Sequence, residues 1–393
     1  MKMNLGLLAL SLGAFGIGVT EFAPMGLLPI MAADLGVSIP TAGLLVSAYA
    51  FGVLIGAPLM TLTTGKLPRR ALLIALAGIF TIGNFLSAIA TGYDMLLIAR
   101  IVTSFNHGAF FGVGSIVAAS LVAPDKRAGA VAAMFMGLTI ANIIGVPLAT
   151  WTGEHLGWRV PFWGITVLGL LMMAALRLTL PKLPATEGGD AMTELRVLSG
   201  KDVLYALLLT VIGSSAMFTV FTYISPILQQ VTKASPAFVT AMLVTYGVGL
   251  SIGNWLGGKF ADRSVDKTLV ASLASLTVVL IAFAWFMPNP VVSAILILLW
   301  GVASFALVPP LQVRVMGAAS KAPNLASAVN IGAFNLGNAL GAALGGGVIA
   351  IGWGFPAVAL AGAATSAMGL MLVLMAIRKP TMQARDLCCE TAE

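Results

Sequence analysis

Residues 5–30 read LGLLALSLGAFGIGVTEFAPMGLLPI, an apolar run in which Glu21 is the only ionisable side chain. A helix needs about 20 mainly apolar residues to cross a bilayer, and this run is longer than that. Of the 393 residues, 59% are hydrophobic and only 9% are charged, whereas a soluble domain has about 25% charged residues. So few charges cannot cover a surface that faces water, which excludes a soluble enzyme and a nucleic-acid-binding protein. The composition predicts a protein that crosses the membrane several times.

We predict twelve membrane-spanning helices, numbered spans 1 to 12, and hence an all-α polytopic fold. They lie at roughly 5–31, 41–63, 71–91, 95–121, 128–151, 160–180, 203–230, 236–258, 268–287, 291–313, 325–351 and 355–377. Turn-forming and charged residues separate them. The longest interruption divides the spans six and six. It predicts an N-terminal six-helix bundle at 1–180, a cytoplasmic linker at 181–202, a C-terminal six-helix bundle at 203–379 and a cytoplasmic tail at 380–393.

The distribution of Lys and Arg predicts the orientation, because short loops rich in these residues stay in the cytoplasm. With the N-terminus inside, nearly every Lys and Arg of the loops lies on the cytoplasmic side, and only Arg159 and Lys233 lie outside. Both termini are therefore predicted to be cytoplasmic. The two cysteines, Cys388 and Cys389, are neighbours in the tail. The sequence thus offers no disulfide framework and no cysteine metal site, and we expect no cofactor and no bound metal.

The two halves of the chain resemble each other at a nearly constant spacing. Pro226 follows Pro29 by 197 residues, and GKFADRSVDK at 258–267 follows TLTTGKLPRR at 61–70 by the same distance. In span 5, ANIIG at 141–145 is followed 196 residues later by GNALG at 337–341. These matches indicate an internal duplication. Duplicated bundles typically place a substrate site at their interface near the middle of the membrane and expose it to each side in turn.

The repeated segments carry motifs of a known family. GKFADRSVDK resembles the loop motif G-x-x-x-D-R-x-G-R-K of the major facilitator superfamily, and Gly145-Val146-Pro147 resembles a span-5 motif of its antiporters. TEFAPMGLLP at 20–29, NHGAFFG at 106–112 and NIGAFNLGN at 330–338 resemble the drug/sugar proton-antiporter branch in bacterial inner membranes. The resemblance extends to about residue 379. It implies two six-helix repeat bundles, a location in the bacterial inner membrane and transport by alternating access.

The resemblance also implies devices for conformational change. In this family the loop motif latches the two bundles by ionic contacts. The first copy here departs from the motif, with Gly65 in place of its aspartate and Pro68 in place of its glycine. The N-terminal bundle can therefore form only part of the ionic contacts of the latch. Bends are expected in span 5 at Gly145 and Pro147, and in spans 7 and 10 at their prolines. The latch candidates are Lys66, Arg69, Arg70, Gly258, Asp262 and Arg263.

Apart from Arg177 at the cytoplasmic end of span 6, the charged or histidine residues inside the predicted spans are Glu21, Arg100 and His107. A charge in the hydrocarbon core costs at least about 2.5–3.5 kcal/mol, so each is a candidate proton-coupling residue. Glu21 lies about 15 Å and Arg100 about 8 Å from the outer ends of their spans, a difference that an arginine side chain can bridge. We predict that they pair, and that a proton or substrate competes for the carboxylate. The alternatives are a static ion pair and, for His107, a proton relay, a substrate contact or a structural residue.

Polar and aromatic side chains inside the spans are candidate substrate-binding groups, because polar groups are costly against lipid. Asn142 and Asn338 occupy equivalent repeat positions, which slightly favours a structural role for this pair, whereas Asn335 is a better substrate candidate. The aromatic rings suit a sugar or a flat drug, with helix packing as the alternative. The full set is Tyr49, Asn106, His107, Asn142, Phe218, Tyr223, Tyr246, Asn335 and Asn338.

Other functions fit the sequence less well. Residues 249–253 match G-x-S-x-G, the nucleophile turn of many hydrolases, but they lie inside an apolar span and not between a strand and a helix. The phosphate-binding loop of ATP-driven pumps is absent from the sequence. A channel or a lipid scramblase is harder to exclude, although the duplication and the carboxylate–arginine couple favour alternating access.

We therefore predict a proton-driven efflux antiporter for small drug-like or sugar-like molecules, monomeric and not an enzyme. Its partners are the lipid bilayer, protons and a small-molecule substrate, without nucleic acid. The alternative is a proton-coupled symporter that takes up a sugar or a related metabolite, which the same titrating pair supports. The identity of the substrate does not follow from these residues.

Overall fold

The computed structural model describes residues 4–64, 67–123, 127–182, 198–320 and 323–378. Within these ranges the regular secondary structure is helical, and twelve spans are long and apolar enough to cross a membrane. The predicted all-α fold and the number of spans are therefore confirmed. The predictions for Lys66, for most of the linker and for the tail with Cys388 and Cys389 concern residues outside these ranges.

The observed helices extend most of the predicted spans by a few residues. The spans are Leu5–Asp34, Ile39–Thr64, Arg69–Ala88, Tyr93–Ser104 with His107–Ser120, Arg127–Ile140 with Ala141–Gly145 and Val146–Leu156, Arg159–Thr179, Lys201–Phe221 with Ile224–Gln230, Pro236–Ala261, Val265–Phe286, Pro290–Phe305 with Val308–Ala318, Pro323–Ala350 and Gly354–Arg378. Successive spans run in opposite directions, so span 1 begins and span 12 ends at the same face. We call it the terminus face, and the other the far face.

Polar side chains in the loops determine where several helices begin. The Asn4 side chain accepts hydrogen bonds from two backbone N–H groups in the first turn of span 1. Asn289 does the same for span 10, whose first residue is Pro290. A side-chain acceptor at this position replaces the backbone partners that the first turn lacks, and a proline there has no N–H to satisfy. Asn4 before span 1 and Asn289 between spans 9 and 10 thus act as helix starts.

Four spans are interrupted. Span 5 contains a π-helical turn at Ala141–Gly145 just before Pro147, and spans 7 and 10 each break shortly before a proline. Proline has no N–H to donate and its ring crowds the preceding turn, which accounts for these three sites. Span 4 breaks at residues 105–106 without a proline. There the Asn106 side chain donates a hydrogen bond to the backbone carbonyl of Thr103 and so competes with the helical hydrogen bonds.

Two hydrophobic clusters form the cores of two six-helix bundles. One consists of buried residues from spans 1 to 6 and their loops, among them Phe80 and Phe162. The other belongs mainly to spans 7 to 12 and is centred on Phe283 and Trp300, but it also includes Phe22 of span 1. Large apolar side chains on the outside, such as Trp285, remain exposed. In a membrane this outer surface faces lipid.

Glycines allow equivalent helix contacts in the two bundles. A Cβ atom added at Gly52 of span 2 would lie 2.0 Å from Ser104 Oγ of span 4. At Gly249 of span 8 it would lie 2.5 Å from the carbonyl oxygen of Leu298 in span 10. Gly249 follows Gly52 by 197 residues, so the contact between spans 2 and 4 recurs between spans 8 and 10 at the spacing of the sequence repeat.

The G-x-S-x-G segment of span 8 is a packing surface. Its glycines, Gly249 and Gly253, both lie against the backbone of span 10. Ser251 Oγ donates a hydrogen bond to the carbonyl oxygen of Gly247, one turn earlier in its own helix (3.1 Å). Small residues spaced by four allow two membrane helices to approach closely. The segment therefore joins two helices and has the geometry of a continuous helix, not that of a nucleophile turn.

Several contacts between the bundles lie in the half of the molecule near the far face, whereas Gly247 of span 8 meets the carbonyl of Asn142 in span 5 nearer the middle. Tyr223 Oη is held within the second bundle by a hydrogen bond that it donates to the carbonyl oxygen of Ala342 (2.8 Å). It reaches the first bundle at Gly43 of span 2, where an added Cβ atom would lie 2.1 Å from this Oη. Ser47 of span 2 donates to the carbonyl oxygen of Ala339 in span 11 (3.1 Å). These contacts join span 2 of the first bundle to spans 7 and 11 of the second on the far-face side.

Candidate functional site

Glu21 lies in the interior of span 1, with 7% of its surface exposed. Its carboxylate Oε2 is 3.9 Å from Nδ1 of His107, and the hydroxyl of Tyr49 is 3.1 Å from the same nitrogen. Spans 1, 2 and 4 thus bring a carboxyl, a phenol and an imidazole together. With Arg100, described next, they form what we call the Glu21 cluster. Its carboxyl and imidazole are groups that can take up and release a proton inside the bilayer.

Arg100 is fully buried in span 4. Its guanidinium lies over the Tyr49 ring, 4.2 Å from the centroid, and Nη1 donates a hydrogen bond to the carbonyl oxygen of Thr20 (2.7 Å). The Thr20 hydroxyl in turn donates to Asn84 Oδ1 (2.5 Å). Thr20 and Asn84, which the sequence did not single out, therefore orient Arg100 from spans 1 and 3.

The predicted direct pair between Glu21 and Arg100 is not formed in this structure, where no nitrogen of Arg100 is within salt-bridge distance of the carboxylate. The guanidinium instead reaches the backbone of Thr20, one residue earlier, and His107 is the basic group within that distance of Glu21. Arg100 is still close enough to interact electrostatically with Glu21. Its Nε and Nη2 have no hydrogen-bond partner among the described residues. Buried donors of this kind are rare in proteins, and they can serve a negatively charged or polar acceptor.

The break in span 4 positions His107, which is the first residue of the second helix of that span. Its ring lies 5.2 Å from the ring of Phe111 and 5.9 Å from that of Tyr49. Asn106, at the break, is fully buried, and its Oδ1 has no hydrogen-bond partner in the described part of the chain. The break in the helix therefore leaves a buried polar acceptor without a partner next to His107.

Phe22, the residue after Glu21, packs among aromatic side chains of the second bundle. Phe22 contacts Phe218 and Phe221, with ring centroids 6.1 Å apart in both pairs. Phe221 stacks on Tyr246 at 4.6 Å, and Tyr246 lies 4.7 Å from Trp300. We call these five rings the aromatic cluster. Trp300 is fully buried, and its indole N–H has no partner among the described residues.

The sequence predicted Phe218 and Tyr246 as candidates but missed Phe22, Phe221 and Trp300. Phe22 directly follows Glu21, and this adjacency was the available signal. On a helix, neighbouring side chains point in directions about 100° apart. One residue can therefore face the interior of its own bundle while the next faces the other bundle.

The candidate asparagines of spans 5 and 11, Asn142, Asn335 and Asn338, have different partners. Asn338 accepts a hydrogen bond from the hydroxyl of Ser214, which ties spans 11 and 7 together. Asn142 donates to the carbonyl of Leu138 in its own span (3.0 Å). Asn335 also donates within its own helix, but its Oδ1 is buried without a partner in the described ranges. Asn335 therefore retains a free acceptor, whereas Asn338 and the far-face residue Tyr223 are engaged in helix packing.

The latch candidates within the described ranges lie apart from the Glu21 cluster, at the terminus face. Arg70 donates to the carbonyl oxygen of Leu180 (3.0 Å) within the first bundle. Asp262 and Arg263 are exposed. The salt bridge of this loop is formed by Asp266 with Arg314 of span 10 (2.6 Å), so the ion pair lies within the second bundle. Gly145, the candidate for bending span 5, packs against Val19 of span 1.

Comparisons with known proteins agree with this architecture. A family model for the Major Facilitator Superfamily matches residues 10–332 and 208–386. The inner membrane transport protein YdhP of Escherichia coli (strain K12) is 58% identical over 379 residues, which cover 96% of this chain and 97% of YdhP. A chloramphenicol resistance protein of Streptomyces lividans is 32% identical over 343 residues, which cover 86% of this chain and 88% of that protein.

Among solved structures, the crystal structure of a D-xylose-proton symporter has a TM-score of 0.77 with this chain. The similarity covers 94% of this chain and 95% of the symporter at 16% sequence identity, and it concerns the fold alone. With twelve spans and an inner-membrane relative at high identity, the protein is a multi-pass transporter of the bacterial inner membrane and not an enzyme. The family model matches nearly the whole chain. The chain therefore belongs to the Major Facilitator Superfamily.

Proposed function

We propose that this transporter exports small amphipathic molecules in exchange for protons. The observation that carries the proposal is the Glu21 cluster, in which a buried carboxyl lies 3.9 Å from an imidazole and near a buried guanidinium with unpaired donors. An ionised carboxylate inside a membrane is costly unless it is paired, whereas a protonated one is not. Proton uptake at Glu21 therefore changes the electrostatic balance around Arg100.

This change can be coupled to alternating access. We propose that the bundles at 1–180 and 203–379 move as units, and that Glu21 takes up a proton from the far face. The neutral carboxyl then favours the state that is open to the terminus face, where substrate binds and the proton is released. The contacts of Tyr223 with Gly43 and of Ser47 with Ala339 join the bundles near the far face and support access from the terminus face in the present state.

The aromatic cluster supports a substrate with a flat apolar part. Phe22, which directly follows Glu21 in span 1, is part of this cluster, and we propose that a ligand contacts these rings with its apolar part and Arg100, His107 or Asn106 with its polar part. A molecule with an aromatic or apolar body and a few polar groups has this character. The relative named for chloramphenicol resistance supports export of such molecules.

The direction of export requires that both termini lie in the cytoplasm, as the Lys and Arg distribution predicts. Cys388 and Cys389 are the two cysteines of the chain and provide a test. A membrane-impermeant maleimide is expected to label them in inverted vesicles but not in intact spheroplasts. As a control, Thr91→Cys, in a variant with both tail cysteines replaced by serine, reports the far face and should show the opposite pattern. Labelling of the tail in spheroplasts would overturn the orientation.

Transport is tested in inverted vesicles with an acidic lumen and a pH-sensitive dye inside. Chloramphenicol, D-xylose and a cationic dye such as ethidium are added one at a time. Export by exchange predicts that at least one of them triggers proton release from the lumen, in vesicles with the protein but not in vesicles without it. Proton movement in the same direction as the added compound would instead establish the symport alternative. Substrate accumulation that is independent of the pH gradient would refute proton coupling.

A further inference from the structure

A groove of about 950 Å³ opens on the outer surface of the second bundle, between spans 8, 9 and 10. It starts at the loop between spans 8 and 9, at the terminus face, and follows span 9 toward the middle of the membrane. Phe260, Val278 and Leu299 line it and are 44%, 64% and 45% exposed. Since these side chains are apolar and lie on the outside of a membrane protein, the groove faces the lipid.

The length of the groove matches one leaflet. Its lining on span 9 runs from Lys267 to Val279, a rise of about 18 Å along a helix. The hydrocarbon core of a bilayer is about 30 Å thick, so one leaflet contributes about half of that. Small residues such as Ala271 and Ala303 form much of the floor and walls. A groove of this length and lining fits a single acyl chain.

The end of the groove at the terminus face carries two cations. Arg263 and Lys267 both line it and are exposed, and Ser264 lies between them as a polar neighbour. The carboxylates next to these two cations in the sequence belong to Asp262 and Asp266, and neither residue lines the groove. Asp266 is engaged with Arg314, 2.6 Å away. The headgroup end of the groove is therefore positively charged, while the rest is apolar.

We propose that this groove binds an anionic phospholipid of the phosphatidylglycerol type. Its phosphate interacts with Arg263 and Lys267, and one acyl chain lies along span 9. A zwitterionic lipid such as phosphatidylcholine fits the apolar part equally well, but its positive choline group lies close to the same two cations. Charge complementarity therefore selects the anionic lipid. The site is separate from the Glu21 cluster and does not depend on which substrate is transported.

Native mass spectrometry of the full-length protein in detergent tests the site, with dioleoyl phosphatidylglycerol and dioleoyl phosphatidylcholine added in separate titrations. Each cation is expected to contribute about fivefold to the affinity for phosphatidylglycerol. Arg263→Gln and Lys267→Gln should therefore each weaken its binding by about fivefold, and the double variant by about 25-fold. Binding of phosphatidylcholine should hardly change.

Lys259→Gln is the matched control. Lys259 is exposed and lies on the same helix end, but its ammonium is over the Trp255 ring at 5.0 Å and it does not line the groove. This variant should bind phosphatidylglycerol like the unchanged protein. A loss of affinity equal to that of Lys267→Gln would mean that only the total charge of the face matters, which would overturn the proposal.

A second variant tests the apolar part of the groove while its two cations stay in place. Ala271→Trp fills the groove from an exposed position on span 9 and keeps both charges. It should weaken binding of phosphatidylglycerol and of phosphatidylcholine by a similar factor, because it blocks the acyl chain. Unchanged binding of both lipids by Ala271→Trp, or equal affinity of the unchanged protein for the two lipids, would contradict an anionic lipid in this groove.

Discussion

Replacement of Glu21 by glutamine is expected to abolish proton-driven transport while the protein still folds and inserts. Glutamine has the shape of glutamic acid but cannot release a proton, so the Glu21 cluster would remain packed without its titrating carboxyl. Removal of a positioned proton-transfer group typically costs 10²–10⁴-fold in rate. In the inverted-vesicle assay we therefore expect substrate-triggered proton release to fall at least about 100-fold, to the level of vesicles without the protein.

Two measurements make this prediction specific. The melting temperature of Glu21→Gln in detergent should be unchanged or higher, because a neutral amide is less costly to bury than an ionised carboxylate. Asp94→Asn is the matched control: Asp94 is an exposed acid in the first turn of span 4, and its loss should leave proton release intact. Full proton-coupled transport by Glu21→Gln would refute the assignment of Glu21 as the coupling residue.

Replacement of Gly253 by alanine is expected to destabilise the second bundle strongly. A Cβ atom at this position would lie 2.2 Å from the carbonyl oxygen of Val302 and 2.9 Å from its Cα. These are backbone atoms of span 10, which cannot move aside as a flexible side chain can. Overpacking of a close contact costs about 1–3 kcal/mol or more. The melting temperature and the yield of monodisperse protein should both fall.

Gly258→Ala, five residues later in the same span, is the control. Nothing lies within 4 Å of a Cβ atom added at Gly258, and alanine is favoured over glycine in a helix by about 0.5–1 kcal/mol. Its melting temperature should be equal to that of the unchanged protein or slightly higher. If both variants melted at the same temperature, the close contact between spans 8 and 10 would not limit stability.

Most of the fold could be predicted from the sequence because it depends on local properties. The length of each apolar run determines whether a helix can cross the bilayer, and the loop residues determine where it starts. The spacing of 197 residues predicted the duplication, and the contacts of Gly52 and Gly249 recur at that spacing. The break in span 4 escaped prediction because it depends on a hydrogen bond from Asn106 and not on a proline or glycine.

The partners of the site residues were less predictable. The sequence identified Glu21, Arg100 and His107 as charged or titratable groups inside the membrane, since such residues are rare there. It did not reveal that Arg100 would donate to the carbonyl of Thr20 and lie on Tyr49, with His107 as the basic neighbour of Glu21. It ranked Asn335 above Asn338 as a substrate candidate from their repeat positions, but it did not reveal that Asn335 keeps a free acceptor while Asn338 is bonded to Ser214.

The sequence by itself determined that this protein is a twelve-span membrane transporter with two duplicated halves and a few buried polar groups. Only the tertiary structure decided which of those groups meet, and that Phe22 packs on Phe221 and, through it, joins Trp300 in one aromatic cluster. The physical reason is that a membrane helix is apolar both toward lipid and toward its neighbours. Its sequence therefore does not mark the inward side, and the rotation of each helix follows from packing, such as the approach of Gly253 to span 10.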